Sequence, residues 1–137
     1  MALIFDTNTL LAVLNRGDEH YRACAALVEA SREDLLVPLL TLPELDYFLS
    51  KYGLHQGWLA FLEDVDGGAW RVEPPTAADL RRARELQEQY RDLQIGVVDA
   101  SIIALCERLG EPKVATLDRR HFTAVRPRHV EALRLLP

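Results

Sequence analysis

The chain has 137 residues, 49% of them apolar and 27% charged, with a net charge of −5. These totals suit one soluble globular domain, residues 1–137, long enough to bury a core. They exclude a membrane span, which needs about 18 apolar residues in a row, and no basic-then-apolar leader opens the chain. Cys24 and Cys106 fall in helical patterns without partners at metal-ligand spacing, as expected for reduced thiols in a cytoplasmic protein. The four histidines, at 20, 55, 121 and 129, are scattered, and most read as surface residues.

Charge is unevenly spread. From Lys113 onward, six basic residues (Lys113, Arg119, Arg120, Arg126, Arg128, Arg134) face only Asp118 and Glu131, which leaves +4 there and −9 elsewhere. A basic C-terminal strip on an acidic molecule is compatible with an anionic partner held locally.

Taken in order, Leu3–Phe5 is a first strand and residues 7–14 a short helix. Asp6 stands between them, with Thr7 or Asn8 free to cap the helix. After Asn15-Arg16-Gly17, Asp18 can cap a helix bearing Tyr21, Cys24, Ala25, Leu27 and Val28. Leu35-Leu36-Val37 is a second strand, closed by Pro38. Thr41 opens a helix whose buried side is Leu45, Phe48, Leu49 and Tyr52, and Gly53 stops it. Leu54, Trp58, Phe61, Leu62 and Val65 mark a further amphipathic helix. Trp70-Arg71-Val72 is a third strand, and Thr76 caps a long helix with Leu80, Ala83, Leu86 and Tyr90 inward. A helix from about Asp99 to Leu109 stops at Gly110, and Lys113–Leu117 is a strand running into Asp118. Val125 and residues 132–136 are short extended candidates. Strands alternating with helices predict a mostly parallel α/β sheet.

Four carboxylates occupy comparable places. Asp6 and Asp118 each follow an apolar strand, where α/β sheets gather ligands. Asp99 lies in the first turn of its helix, and its neighbours at i+3, i+4 and i+7 are Ile102, Ile103 and Cys106. It therefore faces the packed side, as a helix cap or as one of several acids around a cation. Glu44 completes the pattern Thr41-x-x-Glu44, which is a capping box unless the glutamate projects over the sheet edge. Thr116 and Asp118 share one face of the strand end. Gathered in one pocket, such charges need something positive between them. Hard oxygen donors suit Mg²⁺ or Mn²⁺, one or two ions, and no histidine–cysteine set supports zinc. Such an ion polarises a phosphate and helps ionise a water for in-line attack.

The ordered segments Asp6-Thr7-Asn8, Pro43-Glu44-Leu45, Val98-Asp99-Ala100-Ser101 and Thr116-Leu117-Asp118-Arg119-Arg120-His121-Phe122 resemble the signature of PIN-domain ribonucleases, nearest to the VapC toxins of toxin–antitoxin pairs. The resemblance spans essentially the whole chain. It implies a three-layer α/β/α PIN-like domain around a short, mostly parallel sheet. It also implies a Mg²⁺- or Mn²⁺-dependent endoribonuclease, a cognate VapB-like antitoxin that blocks the site, and a homodimer. Carried over by position, Asp6, Glu44, Asp99 and Asp118 are the catalytic and metal-site acids, and Thr7, Asn8 and Thr116 support them. Asp92, in a segment that also looks like this family, is a secondary supporting candidate. His121 departs from the pattern, since many relatives carry a further aspartate there; it is free to face RNA or solvent.

Arg119, Arg120, Arg126 and Arg128 are the candidate RNA-phosphate contacts. Core packing or an antitoxin groove could each use the apolar faces of Leu45, Phe48, Leu49, Trp58 and Phe61. The run Asp6-Thr7-Asn8-Thr9 is also similar to the opening of haloacid-dehalogenase-like phosphatases, but Asn8 replaces the acid that chemistry needs. A response-regulator receiver would need a lysine at a late strand end, and Lys113 begins one. The remaining alternative is a catalytically silent PIN module that binds RNA or a partner.

Overall fold

A computed structural model describes residues Met1–Pro137. The strands β1 (Ala2–Phe5), β2 (Asp34–Pro38), β3 (Arg71–Glu73), β4 (Lys113–Ala115) and β5 (Arg134–Leu136) form one sheet in the order β3-β2-β1-β4-β5. Every pairing is parallel, with Leu3 opposite Leu35 and Ile4 opposite both Leu36 and Val114. Seven helices connect them: α1 (Thr7–Leu14), α2 (Tyr21–Ala30), α3 (Thr41–Lys51), α4 (His55–Asp66), α5 (Ala77–Gln89), α6 (Val97–Leu109) and α7 (Arg119–Ala124).

The central strand is apolar throughout because both of its faces are covered. Alternate side chains serve opposite layers. Ala2, Ile4, Leu36 and Val114 pack under α5, α6 and α7 with Ala83, Leu86, Ile102, Ile103 and Phe122. Leu3, Phe5, Val37 and Ala115 pack on the other side with Leu10, Leu45, Leu49, Phe61 and Trp70. Two cores on one sheet make three α/β/α layers, the architecture the family resemblance implies, and the parallel sheet is the one the alternation of elements predicts. The rings of Phe5 and Trp70 stand nearly perpendicular, 84° apart, at 5.1 Å between centroids, a favoured arrangement for an aromatic pair.

Several expectations are corrected. Tyr52, Leu62 and Leu80 were assigned to buried stripes and are exposed, whereas Leu45, Leu49 and Phe61 are wholly buried core residues. The apolar side chains left on the outside of α3 and α4 are instead Tyr47, Tyr52, Leu59 and Leu62. Val125 has extended backbone angles but joins no strand; it closes α7, a helix the charged run Arg119-Arg120 concealed. Lys113 leaves the basic strip, because it is buried in an ion pair with Glu33 at 2.8 Å.

The Thr41/Glu44 capping box does not form. Helix α3 begins at Thr41, whose hydroxyl donates to the Pro38 carbonyl at 2.7 Å, so Glu44 is released to other partners. A complete box occurs instead at α5, where Thr76 and Asp79 exchange two 3.0 Å bonds between side chain and backbone. Thr76→Ala is expected to cost about 1 kcal/mol, read as a lower urea midpoint with an unchanged slope.

The strand order reverses direction beside β1: β2 and β3 build outward on one side, β4 and β5 on the other. Ligand crevices form at such points, outside the carboxyl ends of the strands. Asp6 follows β1 there, and Thr116 and Asp118 follow β4.

Candidate active site

A cleft of about 330 Å³ opens at this point, lined by Asp6, Thr7, Asn8, Leu11, Glu44, Phe48, Tyr52, Asp99 and Asp118. All four candidate acids reach it from separate parts of the chain. No lysine or arginine lines it.

Asp6 is 3% exposed and is the N-cap of α1. One carboxylate oxygen accepts from the Thr7 amide at 2.7 Å, and the other from the Thr116 hydroxyl at 2.8 Å and the Asn8 amide group at 3.3 Å. Burial, and next the charge of Asp99, push its pKa up to about 7 against the pull of those hydrogen bonds; Asp118 adds to the rise.

Asn8 ties the two strand ends together, since its carbonyl oxygen accepts from the Leu117 amide at 3.0 Å. Thr9, which sequence patterns do not single out, donates its hydroxyl to the carbonyls of Asp6 and Ala115 at 2.8 and 2.9 Å. Thr7 donates its hydroxyl to Glu44 Oε1 at 2.7 Å and so carries the α3 acid to the cleft. Thr116 accepts from the Asp118 amide at 3.0 Å while donating to Asp6.

Asp99 sits in the first turn of α6, which starts two residues earlier than expected, at Val97. Burial raises its pKa first and Asp118 second, His121 opposes the rise, and Glu44 adds to it. Asp118 caps α7 by accepting from the His121 amide at 3.2 Å. His121 does not turn to solvent. Its Nδ1 lies 2.8 Å from Asp118 and 3.2 Å from Asp99, and its Nε2 lies 3.2 Å from the Leu93 carbonyl. Burial works against the charged ring, but Asp118, then Asp99 and the Leu93 carbonyl, outweigh it and raise the pKa. The spacing Asp118-x-x-His121 across a helix start was the signal available for this contact.

Asp92 is not among the residues lining the cleft; it is exposed on the 3-10 turn Arg91–Leu93. Of the four arginines, Arg119 and Arg120 are exposed on α7, next along the chain to Asp118 and His121. Arg119 donates to the Pro137 carbonyl at 3.3 Å, and the Arg126 amide donates to the Tyr90 hydroxyl at 3.0 Å. Arg128 pairs with Glu85 at 2.8 Å, and its amide donates to Glu107. Glu107 is eight residues after Asp99 on α6, roughly 12 Å along the helix.

The arrangement suits a divalent cation. Donor atoms of Asp99, Asp118 and His121 lie within 4.8 Å of one another. The carboxyl of Asp6 beside them is raised first by its burial and then by the charges of Asp99 and Asp118, so an ion bound here would relieve all three acids.

The PIN domain family model matches residues 3–126. Ribonuclease VapC26 of Mycobacterium tuberculosis is 34% identical over 125 residues, covering 91% of this chain and 93% of that protein. Among solved structures, M. tuberculosis VapC20, described as a Sarcin-Ricin loop cleaving toxin, superposes with a TM-score of 0.81 at 22% identity, over 94% of this chain and 98% of that one. VapBC2 from Rickettsia felis, bound to a DNA fragment from its promoter, gives 0.68 at 18% identity over 91% and 93%. With its sheet order, its acid-lined cleft and these matches taken together, the chain belongs to the PIN domain family.

Proposed function

We propose that this chain is a divalent-metal-dependent endoribonuclease, the toxin of a type II toxin–antitoxin pair, held inactive by a cognate VapB-like antitoxin. The observation that carries the reading is the convergence of Asp6, Glu44, Asp99 and Asp118 on one cleft without a lysine or arginine. The ribonuclease name of its 34% identical relative supports the activity, and the VapBC complexes among its structural neighbours support the partner.

Asp6, Asp99 and Asp118 would hold Mg²⁺ or Mn²⁺, whose contribution when bound is to polarise the scissile phosphate and acidify a water. The chain's own residues do the rest. Thr116 and Asn8 hold the Asp6 carboxylate in one orientation through three oxygen contacts shared with the Thr7 amide. Thr7 fixes Glu44 by one oxygen, which leaves Oε2 to accept a proton from the attacking water. Leu11 and Phe48 form the apolar side of the cleft and limit bulk water around the reacting phosphate. Arg119 and Arg120 on α7 meet the RNA backbone next to the acids, with Arg126 and Arg128 farther along the strand. The toxin works as a homodimer in this reading.

The test is incubation of the metal-stripped protein with total RNA, with and without Mg²⁺ or Mn²⁺, followed by sequencing of the new RNA ends. Metal-dependent cleavage at defined sites is expected. RNA binding without cleavage under both metals would instead make the chain a binding module. Charge reversal of Arg119 and Arg120 is expected to weaken RNA binding and flatten its log–log salt dependence by about 0.7 per lost phosphate contact. An unchanged salt slope would remove α7 from the RNA path.

A further inference from the structure

His121 is the one nitrogen donor among oxygen donors, and its orientation is set from behind. The Leu93 carbonyl can only accept, so the Nε2 that meets it at 3.2 Å carries the hydrogen. The ring's other nitrogen then faces carboxylate oxygens from two different elements, Asp118 before α7 at 2.8 Å and Asp99 in α6 at 3.2 Å. In the neutral ring, Nδ1 presents a lone pair to two anions, so the three atoms must share either a proton on Nδ1 or a metal ion, and the two compete for the same place. A histidine whose far N–H is anchored on a backbone carbonyl, with its near nitrogen grouped with carboxylates, has the build of a metal-ligating imidazole.

We propose that His121 Nδ1 is a ligand of the bound divalent ion, which makes the site a mixed nitrogen–oxygen one and moves its preference from Mg²⁺ toward Mn²⁺. The inference rests on the nuclease reading only in placing a cation among these acids. Mg²⁺ favours oxygen donors and keeps much of its water. Imidazole binds more strongly to later divalent ions, so a nitrogen in this position discriminates between ions the carboxylates alone would accept alike. The 3-10 turn thereby acquires a role through the Leu93 carbonyl, which fixes the ring, and not through the exposed Asp92.

The probe is Mn²⁺ itself, added to the metal-stripped full chain without RNA. Electron spin-echo spectra of the wild-type complex should show modulation from a directly bound ¹⁴N, lost in His121→Gln. By calorimetry, His121→Gln should lose about tenfold or more in Mn²⁺ affinity, with a smaller change for Mg²⁺. His121→Asp replaces nitrogen by oxygen and should lower the Mn²⁺:Mg²⁺ affinity ratio, which keeps the test decisive if the glutamine variant misfolds. Absence of nitrogen modulation in the wild type overturns the assignment. So does His121→Gln binding Mn²⁺ as tightly as the wild type or more so, since His121 is then a built-in cation that competes with the metal. Nitrogen-bound Mn²⁺ in a protein that cuts no RNA would sink the nuclease reading and leave this one standing. Metal-dependent cleavage with no nitrogen signal would do the reverse.

Discussion

Asp6→Asn is expected to lower RNA cleavage by at least about 10²-fold, because it removes a metal-site carboxylate, and at the same time to stabilise the metal-free protein at neutral pH. The second half follows from burial. Asp6 is almost fully enclosed and its pKa is pushed up to about 7 from the ordinary 3.8. A difference of that size corresponds to about 4 kcal/mol of strain in the folded state once the group is ionised. Asparagine keeps the acceptor for the Thr7 amide and carries no charge. Its NH₂ must, however, meet the Thr116 hydroxyl, which now donates to Asp6 at 2.8 Å, and the Asn8 amide, which also donates. Rearranging those bonds offsets part of the gain, about 1–2 kcal/mol, so a net increase of about 2 kcal/mol is expected. Urea unfolding at pH 7.5 in a chelator measures it, beside cleavage rates in Mn²⁺. An asparagine variant less stable than the wild type would mean that Asp6 is a structural cap and not a strained ligand.

That pairing of lost activity with gained stability is what a site built from like charges produces. Much of it was readable from residue order. Asp6 was legible because a strand covered on both faces is an unbroken apolar run, and the first acid after it stands at the sheet's carboxyl edge. Asp99 was legible because Ile102, Ile103 and Cys106 share its helical face, and all three are buried.

Where the reading failed, a long-range contact had overridden a local preference. Thr41-x-x-Glu44 has the letters of a capping box, yet the Thr41 hydroxyl prefers the Pro38 carbonyl and Glu44 prefers Thr7, 37 residues away. His121 looked like a surface residue because its anchor, the Leu93 carbonyl, lies 28 residues upstream. Helix α7 has only six residues and opens on two arginines; it is held by the Asp118 cap and by the complete burial of Phe122. Tyr52 carried the periodicity of a core position, but it lies at the helix end, where the face of α3 turns away from the sheet and toward the cleft.

In the metal-free protein, stability is expected to fall by several kcal/mol as pH rises from about 5 to about 8, the opposite of the usual behaviour of a salt-bridged acid. For Asp6 the folded pKa, about 7, lies above the unfolded value. Between the two the folded chain binds more protons than the unfolded chain, so raising pH costs stability. Asp99 is shifted in the same direction and adds to the loss. His121, also raised, contributes stability that is complete below about 6.5 and disappears as pH passes its folded value, again a loss on going up. Glu107 runs the other way, because Arg82 and Arg128 outweigh its burial and lower its pKa, but its window lies below the ordinary 4.5. Saturating Mn²⁺ should reverse the trend, since protons and metal compete for the same atoms and binding tightens as pH rises. At a free concentration one hundred times its dissociation constant, the ion returns about 2.7 kcal/mol. Thermal melts across this range, in chelator and in Mn²⁺, read both slopes. In chelator, Asp6→Asn should be markedly flatter than the wild type. A wild-type melting temperature that climbs from pH 5 to pH 8 without metal would show that the acids are not in conflict, and the electrostatic case for a cation among them would fall with it.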